Sequence, residues 1–338
     1  MKKLNMAELN NWLAAIAETR RVILPINQAN QVNYGVWTPE ADVNLEALRT
    51  VKSAKDAFFP QVENMMRFET EGKSLSVQMI DPASEDFVIL GVRACDARSF
   101  DILDRVFLSD PCDPFYAARR EHGAVVTLAC GRPDENCFCT NFGIDPADPK
   151  GDATMWLVDE TLYLRANTEK GEALVAGLSD ADDEGPVEAQ QAATREIVGR
   201  LPLANLNLKG FDGEHLMEKF DSPKWAALSR SCLGCGTCTF VCPTCQCYDI
   251  RDFDTGSGVQ RYRCWDSCMY SDFTLMAHGT NRPTQLERFR QRFMHKLVYF
   301  PANNEGVYSC VGCGRCLAKC PQNLNIVKVI KALGGDEA

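Results

Sequence analysis

The spacing of the cysteines in the last third of the chain constrains its fold more than any other feature. Seventeen of the 338 residues are cysteines, and eight of them form two runs with the pattern C-x2-C-x2-C-x3-C-P. The first run holds Cys232, Cys235, Cys238 and Cys242, and the second holds Cys310, Cys313, Cys316 and Cys320. Bacterial-type ferredoxins wrap [4Fe–4S] clusters with thiolates at this spacing. The sequence therefore predicts two such clusters in the C-terminal region.

The ligands are predicted to swap between the runs, because the fourth cysteine of each run reaches the other cluster in ferredoxins of this type. One predicted ligand set is Cys232, Cys235, Cys238 and Cys320. The other is Cys310, Cys313, Cys316 and Cys242. Two four-cysteine zinc sites are the alternative, but zinc sites usually pair two short C-x2-C knuckles rather than triplets followed by Cys-Pro.

An α/β domain is predicted before the cysteine runs. Residues 86–92 and 124–129 are apolar runs of the length of buried strands, residues 97–106 look helical, and residues 155–164 read as a hairpin. Residues 179–186 have linker chemistry. The predicted fold class is therefore α+β. We expect an α/β domain over 1–180, a helical linker region over 181–228, and a bacterial-type dicluster ferredoxin-like domain over 229–338.

Four more cysteines lie near the strand ends of the predicted N-terminal domain: Cys95, Cys130, Cys137 and Cys139. Four thiolates are the number that a cubane needs, so a third [4Fe–4S] cluster is the favoured interpretation. A zinc site and buried structural thiols remain as alternatives, because the C-x-C spacing is less specific than the ferredoxin pattern.

The remaining cysteines have no recognised ligand spacing. Cys245, Cys247 and Cys268 form a loose group, to which Cys264 adds a fourth thiol. A further metal site is one interpretation, and thiols that shield the clusters are the other. We interpret Cys112 and Cys264 as plain thiols.

A basic group stands out in a chain whose formal net charge is −10: Arg282, Arg288, Arg290, Arg292, His295 and Lys296. Such a group either steers an acidic partner or balances the negative charge of cysteine-ligated clusters. Because arginines at helical spacing are more often solvated or ion-paired, we expect an exposed face here.

Several functions are excluded by what the sequence lacks. The acidic balance opposes binding to nucleic acid, and no run of roughly 20 apolar residues predicts a membrane span. Without an export signal, and with thiols that need a reducing compartment, we expect a cytoplasmic, anaerobic setting. No glycine-rich nucleotide loop and no group of catalytic residues is found. Flavin and nicotinamide are therefore expected to bind elsewhere than on this chain, and no independent catalytic site is seen.

Several motifs resemble one known family. They are residues 91–96, 137–139, 243–249, 261–268 and 288–296, and with the cysteine runs they cover nearly the whole chain. The combination resembles the iron–sulfur subunit shared by anaerobic sulfite reductase and by soluble NiFe hydrogenases of the sulfhydrogenase type, in which it is the beta subunit. Cys112 and Cys264 depart from that family's pattern.

The resemblance implies one component of a multi-subunit anaerobic oxidoreductase. Such a component passes single electrons between a flavin subunit that handles NAD(P)H and a catalytic subunit, either a siroheme sulfite reductase or a NiFe hydrogenase. The alternative is an oxidoreductase subunit that binds flavin or a substrate and has its own reaction at the N-terminal cysteines.

Overall fold

The structure is a computed structural model that describes residues 1–82 and 85–334. Helices and strands both contribute, which confirms the α+β class. The strands are β1 (Lys2–Asn5), β2 (Arg21–Gln28), β3 (Gln31–Val36), β4 (Val62–Glu71), β5 (Ser74–Met79), β6 (Phe87–Val92), β7 (Gly123–Leu128), β8 (Ala153–Val158), β9 (Thr161–Ala166), β10 (Ser179–Asp180), β11 (Tyr248–Asp254), β12 (Gly258–Trp265), β13 (Leu275–Met276) and β14 (Gly279–Thr280).

The described residues also form α-helices. They are α1 (Leu9–Ala17), α2 (Ala94–Phe107), α3 (Pro114–His122), α4 (Glu169–Val175), α5 (Gly185–Gly199), α6 (Leu216–Phe220), α7 (Lys224–Ser229), α8 (Thr237–Phe240), α9 (Gln285–Met294), α10 (Phe300–Asn303), α11 (Arg315–Lys319) and α12 (Ile326–Leu333). A π-helical turn, His295–Tyr299, joins α9 to α10.

The N-terminal region is built on an eight-stranded sheet with the order β10-β1-β9-β8-β7-β6-β2-β3. Its centre is parallel, because β2 pairs with β6, β6 with β7 and β7 with β8 in that sense. Every residue of β6 and β7 is buried, as expected where helices cover both faces. The predicted strands and the hairpin of β8 and β9 are confirmed. The segment 179–186 differs from the expected linker, since it begins with β10, which pairs with β1.

Two apolar layers hold this sheet. On one face α1 and α4 pack over Leu24, Val88 and Val126. On the other face α2 and α3 pack over the aromatic side chains of Phe58 and Phe87. The parallel strands end at the same edge of the sheet. At this edge Arg93 directly follows β6, and Cys130 lies two residues after β7.

A second sheet has the order β11-β12-β4-β5. Strands β4 and β5 come from the predicted N-terminal domain, whereas β11 and β12 follow the first cysteine run. The division into 1–180, 181–228 and 229–338 stays a prediction. The second sheet contains strands from both the first and the third of these predicted regions. The C-terminal region has its own core, in which α7, α9 and α12 meet around Trp225, Phe289 and Ile330.

A buried ion pair joins the two regions. Both Nη atoms of Arg315, at the start of α11, donate to the carboxylate of Asp96 in α2, and Arg315 Nε donates to Thr50 O at 3.0 Å. Arg315 is 2% exposed and Asp96 is fully buried. A paired guanidinium of this kind is strongly directional, so it fixes the orientation of α11 on α2. Among the described residues, no helix is long and apolar enough to cross a membrane.

The first prediction concerns this pair. Asp96→Asn leaves the buried Arg315 guanidinium without a counter-charge, which costs about 3–5 kcal/mol. We expect a clearly lower urea midpoint in anaerobic unfolding. The matched control is Asp101→Asn on the same helix, whose partner Arg98 is partly exposed, and which should change stability by less than about 1 kcal/mol. Equal effects of the two substitutions would contradict the role given to Asp96.

Candidate iron–sulfur sites

The first predicted ligand set lies around one cavity. Cys232, Cys235, Cys238 and Cys320 all line it, together with the apolar side chains of Met269, Phe289 and Phe293. Gly236 has φ +73° and starts α8, which carries Cys238. Backbone N–H groups point at two of the sulfurs: Gly234 N lies 3.5 Å from Cys232 Sγ and Leu324 N lies 3.2 Å from Cys320 Sγ. Donors of this kind stabilise thiolate charge.

The second predicted set lies in a segment that repeats the local structure of the first. Gly314 has φ +75° and caps the start of α11, as Gly236 caps the start of α8. Burial raises the pKa of Cys310, Cys313 and Cys316, and the negative charge of the nearby Cys242 raises it further. The structure therefore brings Cys242 of the first run beside the three thiols of the second.

The N-terminal set also comes together. Cys95 is in the first turn of α2, Cys130 follows β7, and Cys137 and Cys139 are in the next loop. Burial raises the pKa of Cys139, and the charges of Cys130 and Cys137 add to this effect. Arg49 pairs with Asp134 and lies 3.4 Å from Cys137 Sγ. These four thiols share one buried region at the carboxyl edge of the parallel strands.

The N-terminal set adjoins the second set, which the sequence alone does not reveal. Burial raises the pKa of Cys95, and among the charges that contribute are those of Cys313 and Cys139. The loop 136–139 packs directly on the second cysteine run, because Phe138 N donates to Gly312 O at 3.0 Å. The first set in turn meets the second through Cys238, whose pKa is raised by burial and also by Cys242. The three sets therefore follow one another from the N-terminal domain to the far end of the ferredoxin-like region.

One end of this series reaches the surface. Cys235, in the first set, is exposed, and the neighbouring Leu233 is 64% exposed. The Thr237 hydroxyl lowers the pKa of Cys235. A group bound here would be the one nearest to an approaching partner.

The remaining cysteines separate into two kinds. Cys245, Cys247 and Cys268 lie close together: a hydrogen bond from Cys268 lowers the pKa of Cys247 to about 7, and the charge of Cys245 contributes to raising that of Cys268. Cys264 lies on β12 beside Arg251 and Asp249, and Cys112 is exposed. Over residues 1–82 and 85–334, no three His, Cys, Asp or Glu side chains converge tightly enough to hold a single metal ion.

The basic group is not the exposed face that we expected, and for two members the prediction was wrong. Arg292 and Lys296 are 2% and 3% exposed. Lys296 Nζ donates to Thr244 Oγ1 at 2.8 Å and to Ser309 O at 3.1 Å. The signal was present in the sequence, because both residues share the helical face of Phe289 and Phe293.

A separate cavity of about 320 Å³ opens at the carboxyl ends of β6, β7 and β8. Arg93, Ala129, Arg132 and Gln190 are among the residues that line it. Gln190 Oε1 is buried there without a hydrogen-bond partner. This edge is where open α/β sheets bind ligands.

Comparisons with known proteins identify the C-terminal region and the family of the chain. Residues 231–324 match the family model described as a 4Fe-4S dicluster domain, which defines the C-terminal region as a dicluster iron–sulfur module. Over 333 residues the chain is 32% identical to sulfhydrogenase 2 subunit beta of Pyrococcus furiosus, and the alignment covers 97% of this chain and 96% of that protein. The chain therefore belongs to the sulfhydrogenase beta-subunit family, and the resemblance is confirmed. No solved structure matches it.

The second prediction tests the contact between the second run and the N-terminal loop. Gly312 has φ +60°, and a Cβ there would lie 2.5 Å from Phe138 C. Gly312→Ala therefore adds a collision of about 1–3 kcal/mol to the roughly 1–2 kcal/mol of left-handed strain. Gly256→Ala is the control, because Gly256 has φ +83° with open space around it. A thermal unfolding midpoint that falls no further for Gly312→Ala than for Gly256→Ala would refute the contact.

Proposed function

We propose that this protein is the iron–sulfur electron-transfer subunit of a hydrogenase complex. The observation that carries the proposal is the series of three cysteine sets, each lying beside the next. A bound [4Fe–4S] cluster supplies one-electron redox chemistry. The residues of this chain would hold three such clusters in sequence, exclude water from them and stabilise their charge.

The proposed ligands are the three cysteine sets described above. Support for the first set comes from its apolar cavity and from the N–H groups near Cys232 and Cys320. The match to a dicluster domain supports the eight C-terminal cysteines as a group. The third set, Cys95, Cys130, Cys137 and Cys139, is supported by its mutual proximity and by the charge of Cys313, which acts on the pKa of Cys95 and of Cys139.

The partners are proposed from the relative's name. Sulfhydrogenase 2 subunit beta is, by its name, one subunit of a hydrogenase. We infer that the catalytic partner is a NiFe-type hydrogenase subunit and that the second partner is a flavin subunit with FAD and NAD(P)H. The sulfite reductase type is less favoured, because the relative carries the hydrogenase name. The exposed first set is the end at which one partner would exchange electrons.

A second candidate function is favoured by the cavity at the carboxyl ends of β6 to β8. Its loop is the one that carries Cys130, so a flavin or small substrate bound there would lie beside the third set. Gln190 Oε1 offers such a ligand an acceptor. Flavin that copurifies with the isolated chain, and that Gln190→Leu releases, would support this function. Protein without flavin would leave electron transfer as the proposed role.

The third prediction is the iron content. Anaerobically purified protein should carry about twelve iron and about twelve acid-labile sulfide per chain, because each cubane holds four of each. Cys139→Ala should reduce the iron to about eight and remove one EPR signal of the dithionite-reduced protein. Cys112→Ala is the control, since Cys112 is exposed and outside the three sets, and it should change neither quantity.

Two results would count against the proposal. About eight iron in the wild-type chain, unchanged in Cys139→Ala, would remove the third set from the ligands. Zinc without labile sulfide would contradict electron transfer altogether.

A further inference from the structure

Arg292 occupies an unusual position for a charged side chain. It lies near the end of α9, is 2% exposed, and lines the same cavity as Cys232, Cys238 and Cys320. Its Nη2 donates to Cys238 O at 2.9 Å. The guanidinium is thus held at the wall of the first site by one backbone hydrogen bond.

The other donors of this guanidinium have no oxygen acceptor. Arg292 Nε and Nη1 are buried, and within the described part of the chain no carboxylate pairs with them. A hydrogen bond from Arg292 to the Cys316 thiol opposes the rise that burial causes in the pKa of Cys316, so the acceptor beside these donors is a cysteine of the second set.

In two other buried arginines, a carboxylate accepts hydrogen bonds from the guanidinium: Arg315 pairs with Asp96, and Arg263 pairs with Glu63. Buried donors are nearly always satisfied, and an unsatisfied donor is costly, above all on a charged group. The donors of Arg292 without an oxygen acceptor therefore indicate a further acceptor that binds here.

The largest anionic influences on Arg292 are thiols, and three of these four thiols come from the two C-terminal sets. The charges that act on its pKa against burial are those of Cys238, Cys316, Cys245 and Cys242. Cys238 belongs to the first set, whereas Cys316 and Cys242 belong to the second. Arg292 therefore stands between the two sites.

We propose that Arg292 is a shared hydrogen-bond donor to both C-terminal [4Fe–4S] clusters and that it holds the reduction potentials of both at higher values. This inference rests on the proposed function. Reduction adds one negative charge to a cluster, and a buried cation beside it stabilises that charge because the surroundings screen it poorly. One guanidinium between two sites acts on both at once.

Lys296 provides an internal comparison. It is buried, and the thiol charges that act on it are those of Cys242, Cys245 and Cys310. Two of these, Cys242 and Cys310, belong to the second set. Lys296 should therefore raise the potential of the second cluster more than that of the first, which gives the two cations different signatures.

The experiment is a potentiometric EPR titration of the full chain, purified anaerobically, after iron and sulfide have been counted. The cluster of the first set is assigned as the signal lost in Cys320→Ala. Arg292→Gln removes the charge and should shift both C-terminal midpoint potentials to more negative values. Arg292→Lys retains the positive charge but lacks the planar guanidinium with its several N–H donors. It should shift both midpoint potentials by a smaller amount. Lys296→Met should shift mainly the second.

Arg290→Gln is the matched control. It removes the same charge from the same helix, but Arg290 lies over the Phe220 ring and donates to Phe220 O, and Phe220 is outside the cluster cavity. It should leave both potentials unchanged.

The outcomes separate the inference from the proposed function. Unchanged potentials in Arg292→Gln with full iron content, or an equal shift in Arg290→Gln, would overturn the role of Arg292 alone. A wild-type chain without iron and sulfide would overturn the proposed function. If Arg292→Gln does not retain iron, the decision rests on Arg292→Met, which removes the same charge with an apolar side chain, and unchanged potentials in that variant would overturn the inference.

Discussion

The arrangement of the whole molecule depends on how the second cysteine run is seated on the N-terminal domain. The buried pair of Arg315 and Asp96 is the centre of that contact. Arg315 is adjacent to Cys316, and Asp96 is adjacent to Cys95, so one ion pair positions a cysteine of the second set and a cysteine of the third. Because a buried charge without its partner is costly, the pair admits few other geometries. The series of cysteine sets follows from this constraint.

Glycine makes the close approach geometrically feasible. Gly312 and Gly314 have φ +60° and +75°, and a Cβ at either position would collide with the backbone of 136–139. Gly314 also caps α11, which carries Cys316. The local geometry of the cysteine run and the packing of the two regions therefore use the same positions. A substitution here affects both properties together.

The chain is acidic as a whole, but positively charged side chains are buried around the thiols. The chain carries a net charge of −10, yet Arg292 and Lys296 are buried beside cysteines. Lys55 is also buried there: its Nζ lies 3.5 Å from the centre of the Trp265 ring and donates to Cys245 O at 2.8 Å. Burying cations without carboxylates is unfavourable unless another anion compensates. Thiolate-ligated clusters provide such anions.

The sequence predicted the local features well and the long-range ones poorly. The eight C-terminal cysteines, the strands β6 and β7, and the hairpin of β8 and β9 are encoded in short patterns of spacing and hydrophobicity. By contrast, Cys95 and Cys313 pack against the same apolar cluster although they are far apart in the chain, and no local pattern records this. The sheet that pairs β4 with β12 is equally non-local. Arg292 was misjudged because charge was weighed above its position on the face of Phe289 and Phe293.

Iron-edge anomalous diffraction from anaerobically grown crystals would show whether three four-iron centres lie in sequence through this chain. We expect three anomalous peaks, one at each cysteine set, with the middle peak beside Cys242 and Cys313. Two peaks confined to the C-terminal region, with none near Cys139, would contradict this expectation.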